Sequence, residues 1–90
     1  MRLGQSRPNP ADGELSIGFT LPRAGVARLR VLDVAGRLVA TLVNGSLPAG
    51  PHTARWDGTT VAGAAAAPGV YLYELRSGGE RITRRLVLTR

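Results

Sequence analysis

Ninety residues can hold one modest hydrophobic core, because a chain of this size buries only about 60–65% of its unfolded surface. The absence of cysteine excludes disulfides, thiolate metal sites and a cysteine nucleophile, and a single histidine excludes a multi-histidine metal centre. Twelve arginines, with no lysine, against six acidic residues give a net charge of +6, which raises nucleic acid and anionic surfaces as partners. The arginines are dispersed from Arg2 to Arg90 and aromatics are only 4% of the chain, too few for a base-stacking platform, so no specific nucleic-acid partner is expected.

Twelve glycines and six prolines punctuate the chain and favour short elements joined by tight turns. No segment approaches the roughly 18–20 apolar residues of a membrane helix. Met1 to Pro8 contains no apolar core of a signal peptide. Residues 1–12 read as an N-terminal linker segment and residues 13–90 as the folded domain.

Period-2 alternation then runs through most of the chain. Leu15, Ile17, Phe19 and Leu21 alternate with Ser16, Gly18 and Thr20, the pattern of a half-buried strand. Ala27, Leu29 and Val31 alternate with Arg28 and Arg30 in a second strand, and Asp33-Val34-Ala35-Gly36 suits a type I turn closing a hairpin. Arg37 to Val43 forms a third strand whose inward face is ambiguous, either because both faces are partly covered or because a bulge shifts the register. Asn44-Gly45 reads as a turn, and Leu47-Pro48-Ala49-Gly50-Pro51 as a crossing between sheets. His52, Ala54 and Trp56 line a fourth strand, Thr59 to Pro68 reads as a loop, and Val70 to Leu75 as a fifth strand. After a Gly78-Gly79 turn, Ile82, Leu86 and Leu88 line a sixth. The sum is an all-β fold, an antiparallel Ig-like or fibronectin-like sandwich of six to eight short strands. Ile17, Phe19, Leu29, Val31, Trp56, Tyr71 and Leu86 are the expected core anchors.

No catalytic set emerges. His52 is the single candidate general base, and the ordinary reading of it is a strand histidine at a sheet edge. Asp12, Asp33 and Asp57 lie in glycine-containing turns, where a carboxylate more simply caps its own backbone than binds calcium. The chain is therefore expected not to be an enzyme and to carry no cofactor.

Pro8-Asn9-Pro10, Phe19-x-Leu21-Pro22, Asp33-Val34-x-Gly36-Arg37, Ala49-Gly50-x-His52 with Trp56-Asp57-Gly58, Gly69-Val70-Tyr71 and Arg84-Arg85-Leu86-Val87-Leu88-x-Arg90 follow one another in an order that resembles an Ig-like domain family. That family is related to the C-terminal Ig-like domain of flagellar hook-capping proteins. The same run is similar to the type A C-terminal sorting domains of type IX secretion substrates. The resemblance implies a module that takes a larger exported protein through a type IX-like secretion system to the cell surface. Gly69, Tyr71, Arg84, Arg85 and Arg90 would then contact the secretion machinery, and the last strand would add to a receptor sheet. The other implication is a structural spacer, or a self-assembling module pairing through edge strands, beside neighbouring domains of an extracellular protein or appendage. Either way the expected location is extracellular or at the cell surface, after export as part of a longer precursor.

Overall fold

The computed structural model describes residues 1–89. Seven strands make two packed sheets with no helix among the described residues: β1 (Arg2–Leu3), β2 (Leu15–Leu21), β3 (Gly25–Asp33), β4 (Leu38–Leu47), β5 (Gly50–Trp56), β6 (Gly69–Ser77) and β7 (Glu80–Leu88). One sheet runs β1-β2-β5 and the other β4-β3-β6-β7, and every strand pair is antiparallel. This is the Ig-like sandwich that the alternation predicts.

The chain crosses between sheets three times, and the first two crossings fall at proline-bearing connections, the third at the loop between Trp56 and Gly69. Leu21 leaves the three-stranded sheet before Pro22, and Leu47 leaves the four-stranded sheet before Pro48. Proline lacks a backbone donor and cannot continue a ladder, so each strand is released there. The β3–β4 turn is tied by Asp33, whose Oδ1 accepts the N–H groups of Ala35 and Arg37 at 2.9 Å each.

Between the sheets, Leu15, Ile17, Phe19 and Leu21 of β2 face Ala27, Leu29 and Val31 of β3 and Tyr71, Tyr73 and Leu75 of β6, all buried. Leu86 and Leu88 extend this core along β7, and Trp56 closes it at the end of β5, its ring set edge-on to Tyr71 at 5.8 Å. Full burial of a large apolar side chain contributes about 1.5–3 kcal/mol.

β4 resolves the ambiguity of its sequence with two register shifts. Val43 lies opposite Leu29 and Thr41 opposite Arg30, leaving Leu42 extra; Ala40 lies opposite Val31 and Leu38 opposite Leu32, leaving Val39 extra. Each extra residue reverses which face the following side chains take.

Two expectations need correction. Asn44-Gly45 is no turn: it lies inside β4, paired with Arg28 and Ala27. Gly45 is not among the glycines with positive φ, so the conformation an Asn-Gly turn requires is not adopted. The nine-residue β3 offers a partner along its whole length, and pairing outweighs the local turn preference. Residues 2–11 are not a linker in packing terms either. Arg2 and Leu3 pair with Thr20 and Phe19, and Leu3, Ser6 and Ala11 are buried. The N–H of Gly4 bonds the carbonyl of Gly18 at 2.8 Å; a Cβ at Gly4 would stand 3.1 Å from that oxygen, which explains a glycine there.

Candidate functional site

The side chains with the most specific polar geometry lie where the N-terminal segment meets β7. Tyr73 points inward from β6 and is fully buried. Its hydroxyl donates to the Gly4 carbonyl at 2.7 Å and accepts the Ser6 N–H at 3.0 Å. Burial pushes the phenol's pKa upward, opposed by the Ser6 bond and the charge of Arg84, so the donor proton is kept. Beyond this anchor the segment lies along the outer edge of β7. Gln5 Nε2 donates to the Arg85 carbonyl at 3.0 Å, and the Val87 N–H donates to Asn9 Oδ1 at 3.0 Å. Ala11 N–H then bonds Val87 O, and Thr89 N–H bonds Ala11 O, in a short parallel bridge. An edge strand's outward backbone groups are a template for pairing; along Arg85 to Thr89 the chain's own N-terminal segment uses them.

Against this frame, the sequence-derived contact residues do not share one surface. Gly69 opens β6 with φ +146° and pairs with Leu88. Tyr71 pairs with Leu86, faces the core, and donates its hydroxyl proton to the Ala67 carbonyl. Arg84 lies opposite Tyr73 and reaches across to the Leu3 carbonyl at 3.1 Å and Gln5 Oε1 at 3.4 Å. Arg85, one residue on, takes the opposite face of the sheet, beside Leu72. Arg90 lies outside the described residues. His52 does not stand ready as a base: its ring stacks on Phe19 at 5.3 Å and Nε2 donates to the Pro48 carbonyl at 2.8 Å.

Sequence reasoning missed Glu74. It is a buried carboxylate on the outer face of β6, gathering Arg30 at 2.8 Å, Arg76 at 3.1 Å and Arg81 at 3.8 Å. The Arg30 hydrogen bond, chiefly, holds its carboxyl below the usual glutamate range, with the three arginine charges adding to the effect and burial opposing it. The available signal was a lone acid at an outward position of its strand, two residues before Arg76, with Arg30 at an outward position of the neighbouring strand. Asp33 and Asp57 act as turn caps. The Arg37 N–H bond chiefly lowers the first, and the Thr59 hydroxyl bond, at 2.6 Å, chiefly lowers the second. Among the described residues, no three His, Asp or Glu side chains gather as metal ligands, and no helix is long and apolar enough to cross a membrane.

The far edge of the same sheet is β4. Its start is met by the Thr59–Pro68 loop, where the Val61 N–H bonds the Val39 carbonyl at 2.8 Å. Trp56 holds that loop through a 2.9 Å bond from Nε1 to the Thr59 carbonyl. From Asn44 to Leu47 β4 is paired on one side alone, with β3.

The sequence pattern of the FlgD Ig-like domain matches residues 6–80. No curated protein matches the chain. Among solved structures, the fold is similar to part of dimeric latent PorU from Porphyromonas gingivalis, with a TM-score of 0.74 and 20% identity over 94% of this chain and 9% of that one. It is also similar to part of PorZ from the same bacterium, a surface component of the type-IX secretion system, with a TM-score of 0.69 and 19% identity over 96% of this chain and 11% of that one. FlgD from Xanthomonas campestris, which caps the hook in flagellar assembly, matches with a TM-score of 0.66 and 24% identity over 88% of this chain and 58% of that one. The chain thus spans about a tenth of the two Porphyromonas proteins.

Proposed function

The chain belongs to the FlgD Ig-like domain family, and from that premise we propose that it serves as a non-catalytic structural module of a larger exported protein, positioning neighbouring domains at the bacterial surface. One observation carries this reading: the edge of β7 from Arg85 to Thr89 is already bonded by Gln5, Asn9 and Ala11. A receptor strand could add there only by displacing a segment anchored through buried Tyr73. The chain's polar groups are likewise engaged in holding the sandwich, with His52 on the Pro48 carbonyl and Asp33 and Asp57 on their own turns.

A sorting role in a type IX-like system is the second reading. It is favoured by the likeness in fold to PorU and PorZ and by the exposed arginines at 81, 84 and 85 on β7. A reporter with an export signal, fused to residues 1–90 and expressed in a cell with the type IX apparatus, separates the two. The structural reading expects the fusion to remain in the periplasm. Surface delivery that is lost when Arg84 and Arg85 become Ala, with the domain still folded, would replace it with the sorting reading.

A further inference from the structure

The outward half of β4 combines free backbone groups, no charge and an empty space. Counting the ladders inward from β7, where Val87 faces the N-terminal segment, Val43, Gly45 and Leu47 bond toward Leu29, Ala27 and Gly25 of β3. Alternation then turns the N–H and C=O of Asn44 and Ser46 outward. The whole of β4 carries no charged side chain over its ten residues, whereas β5 carries Arg55, β1 carries Arg2, and β7 carries Glu80, Arg81, Arg84 and Arg85. Beside Gly45, a Cβ would meet nothing within 4 Å.

We propose that this edge pairs antiparallel with β4 of a second copy, about a two-fold axis at Asn44, joining the two four-stranded sheets into one. In that register Asn44 faces Asn44 of the second copy, and the two exchange both N–H···O bonds. Val43 of each copy lies opposite Gly45 of the other, so its side chain enters the open space there. A protein of charge +6 repels its own copy along most edges, since like charges directly opposite are destabilising. Across a β4–β4 seam the nearest aligned arginines, Arg28 of each copy, lie three strand spacings apart, about 14 Å, beyond the Debye length of about 8 Å at physiological salt. A β7–β7 seam would set arginines in neighbouring positions and meet the N-terminal segment as well. Charge therefore selects a second copy at β4.

The inference rests on the structural-module reading, but the two fail separately. A folded chain that stays monomeric sinks the pairing alone, and surface delivery of the reporter sinks the module reading alone. Sedimentation velocity on residues 1–90, from about 10 μM to about 1 mM, is expected to show a monomer converting to a dimer. Asn44→Lys places two cations at the axis, and Gly45→Val fills the space that receives Val43. Each is expected to weaken association at least tenfold, to about a tenth of the affinity or less, with the far-ultraviolet circular dichroism unchanged. Arg85→Glu, on the opposite edge, is expected to leave association as it is. A monomer at every concentration overturns the proposal, as does a dimer that both β4 variants leave intact or that Arg85→Glu disrupts.

Discussion

β7 and β4 border the same four-stranded sheet, yet their outward edges are treated in opposite ways. β7 is rich in arginine, and from Arg85 onward it is also covered, by Gln5, Asn9 and Ala11. β4 has no charge, and only its first half is capped, at Val39 by Val61. Charge and cover are alternative protections for an edge, and here both fall on one strand. The lesson is that a basic last strand is not by itself a docking strand, since what matters is whether its outward donors and acceptors are free. Four predictions break or sharpen this contrast.

The largest effect is expected from deleting residues 1–11. This strips the cover from β7, removes buried Leu3 and Ala11, and leaves the buried Tyr73 hydroxyl without Gly4 and Ser6. Lost burial of about 1.5–3 kcal/mol for Leu3 and about 0.5–1.5 kcal/mol for each of the two lost Tyr73 hydrogen bonds sum to about 2.5–6 kcal/mol before Ala11 is counted. Guanidinium unfolding measures the loss, and light scattering should report association through the bared edge. A truncated chain as stable and as soluble as the whole would break the contrast at its root.

Trp56→Ala tests the other side. The ring is buried, so the expected cost is about 3–5 kcal/mol. The lost Nε1 bond to Thr59 also frees the loop that caps Val39, so amide exchange at Val61 should quicken in the variant. A cost within about 0.5 kcal/mol would show the indole to be a surface group.

Glu74 bridges the region between the edges, gathering Arg30 of β3 and Arg81 of β7. Glu74→Gln should cost about 1.5–3 kcal/mol near neutral pH, the range for hydrogen bonds to charged groups. Its carboxyl is lowered in the folded state from an ordinary value of 4.5. The stabilisation is therefore fully present above that value and lost as pH falls through the lower folded value. Half-buried Asp33 and exposed Asp57 are lowered in the same sense. Thermal melts from neutral to acid pH should show the wild type losing more stability than Glu74→Gln; parallel curves would remove Glu74 from the account.

Much of the sandwich was legible because burial on one face writes a period of two. Leu15 to Leu21 reads in sequence as it reads in burial, every second residue dry. Pro22 and Pro48 mark two of the three crossings for a reason visible in the residue itself, a missing donor. The obscure parts depend on partners remote in sequence. Asn44-Gly45 has the local chemistry of a turn, and only the reach of β3 makes it strand. Nothing near Ser6 announces that Tyr73, 67 residues away, anchors it. The candidate contact residues were read from their order along the chain, which hides that Arg84 and Arg85 take opposite faces and that Tyr71 points into the core.

The smallest predicted effect is also the most local. Asn9 Oδ1 accepts the Val87 N–H at 3.0 Å, a bond that substitutes a side chain for the missing neighbour strand. Asn9→Ala removes that acceptor and nothing from the core, since Asn9 is exposed. Val87 would keep its carbonyl bond to Ala11, and its N–H would turn to water, so the cost is that of one typical hydrogen bond, about 0.5–1.5 kcal/mol. Hydrogen exchange localises it. Protection should fall at Val87, while Asn44 and Ser46, outward on the bare edge of β4, should exchange quickly in both proteins at concentrations too low for pairing. Equal protection at Val87 with and without Asn9 would mean that the β-bridge at Ala11 alone seals the edge. Slow exchange at Asn44 in dilute solution would mean that β4 is covered after all, and the contrast between the edges would fall.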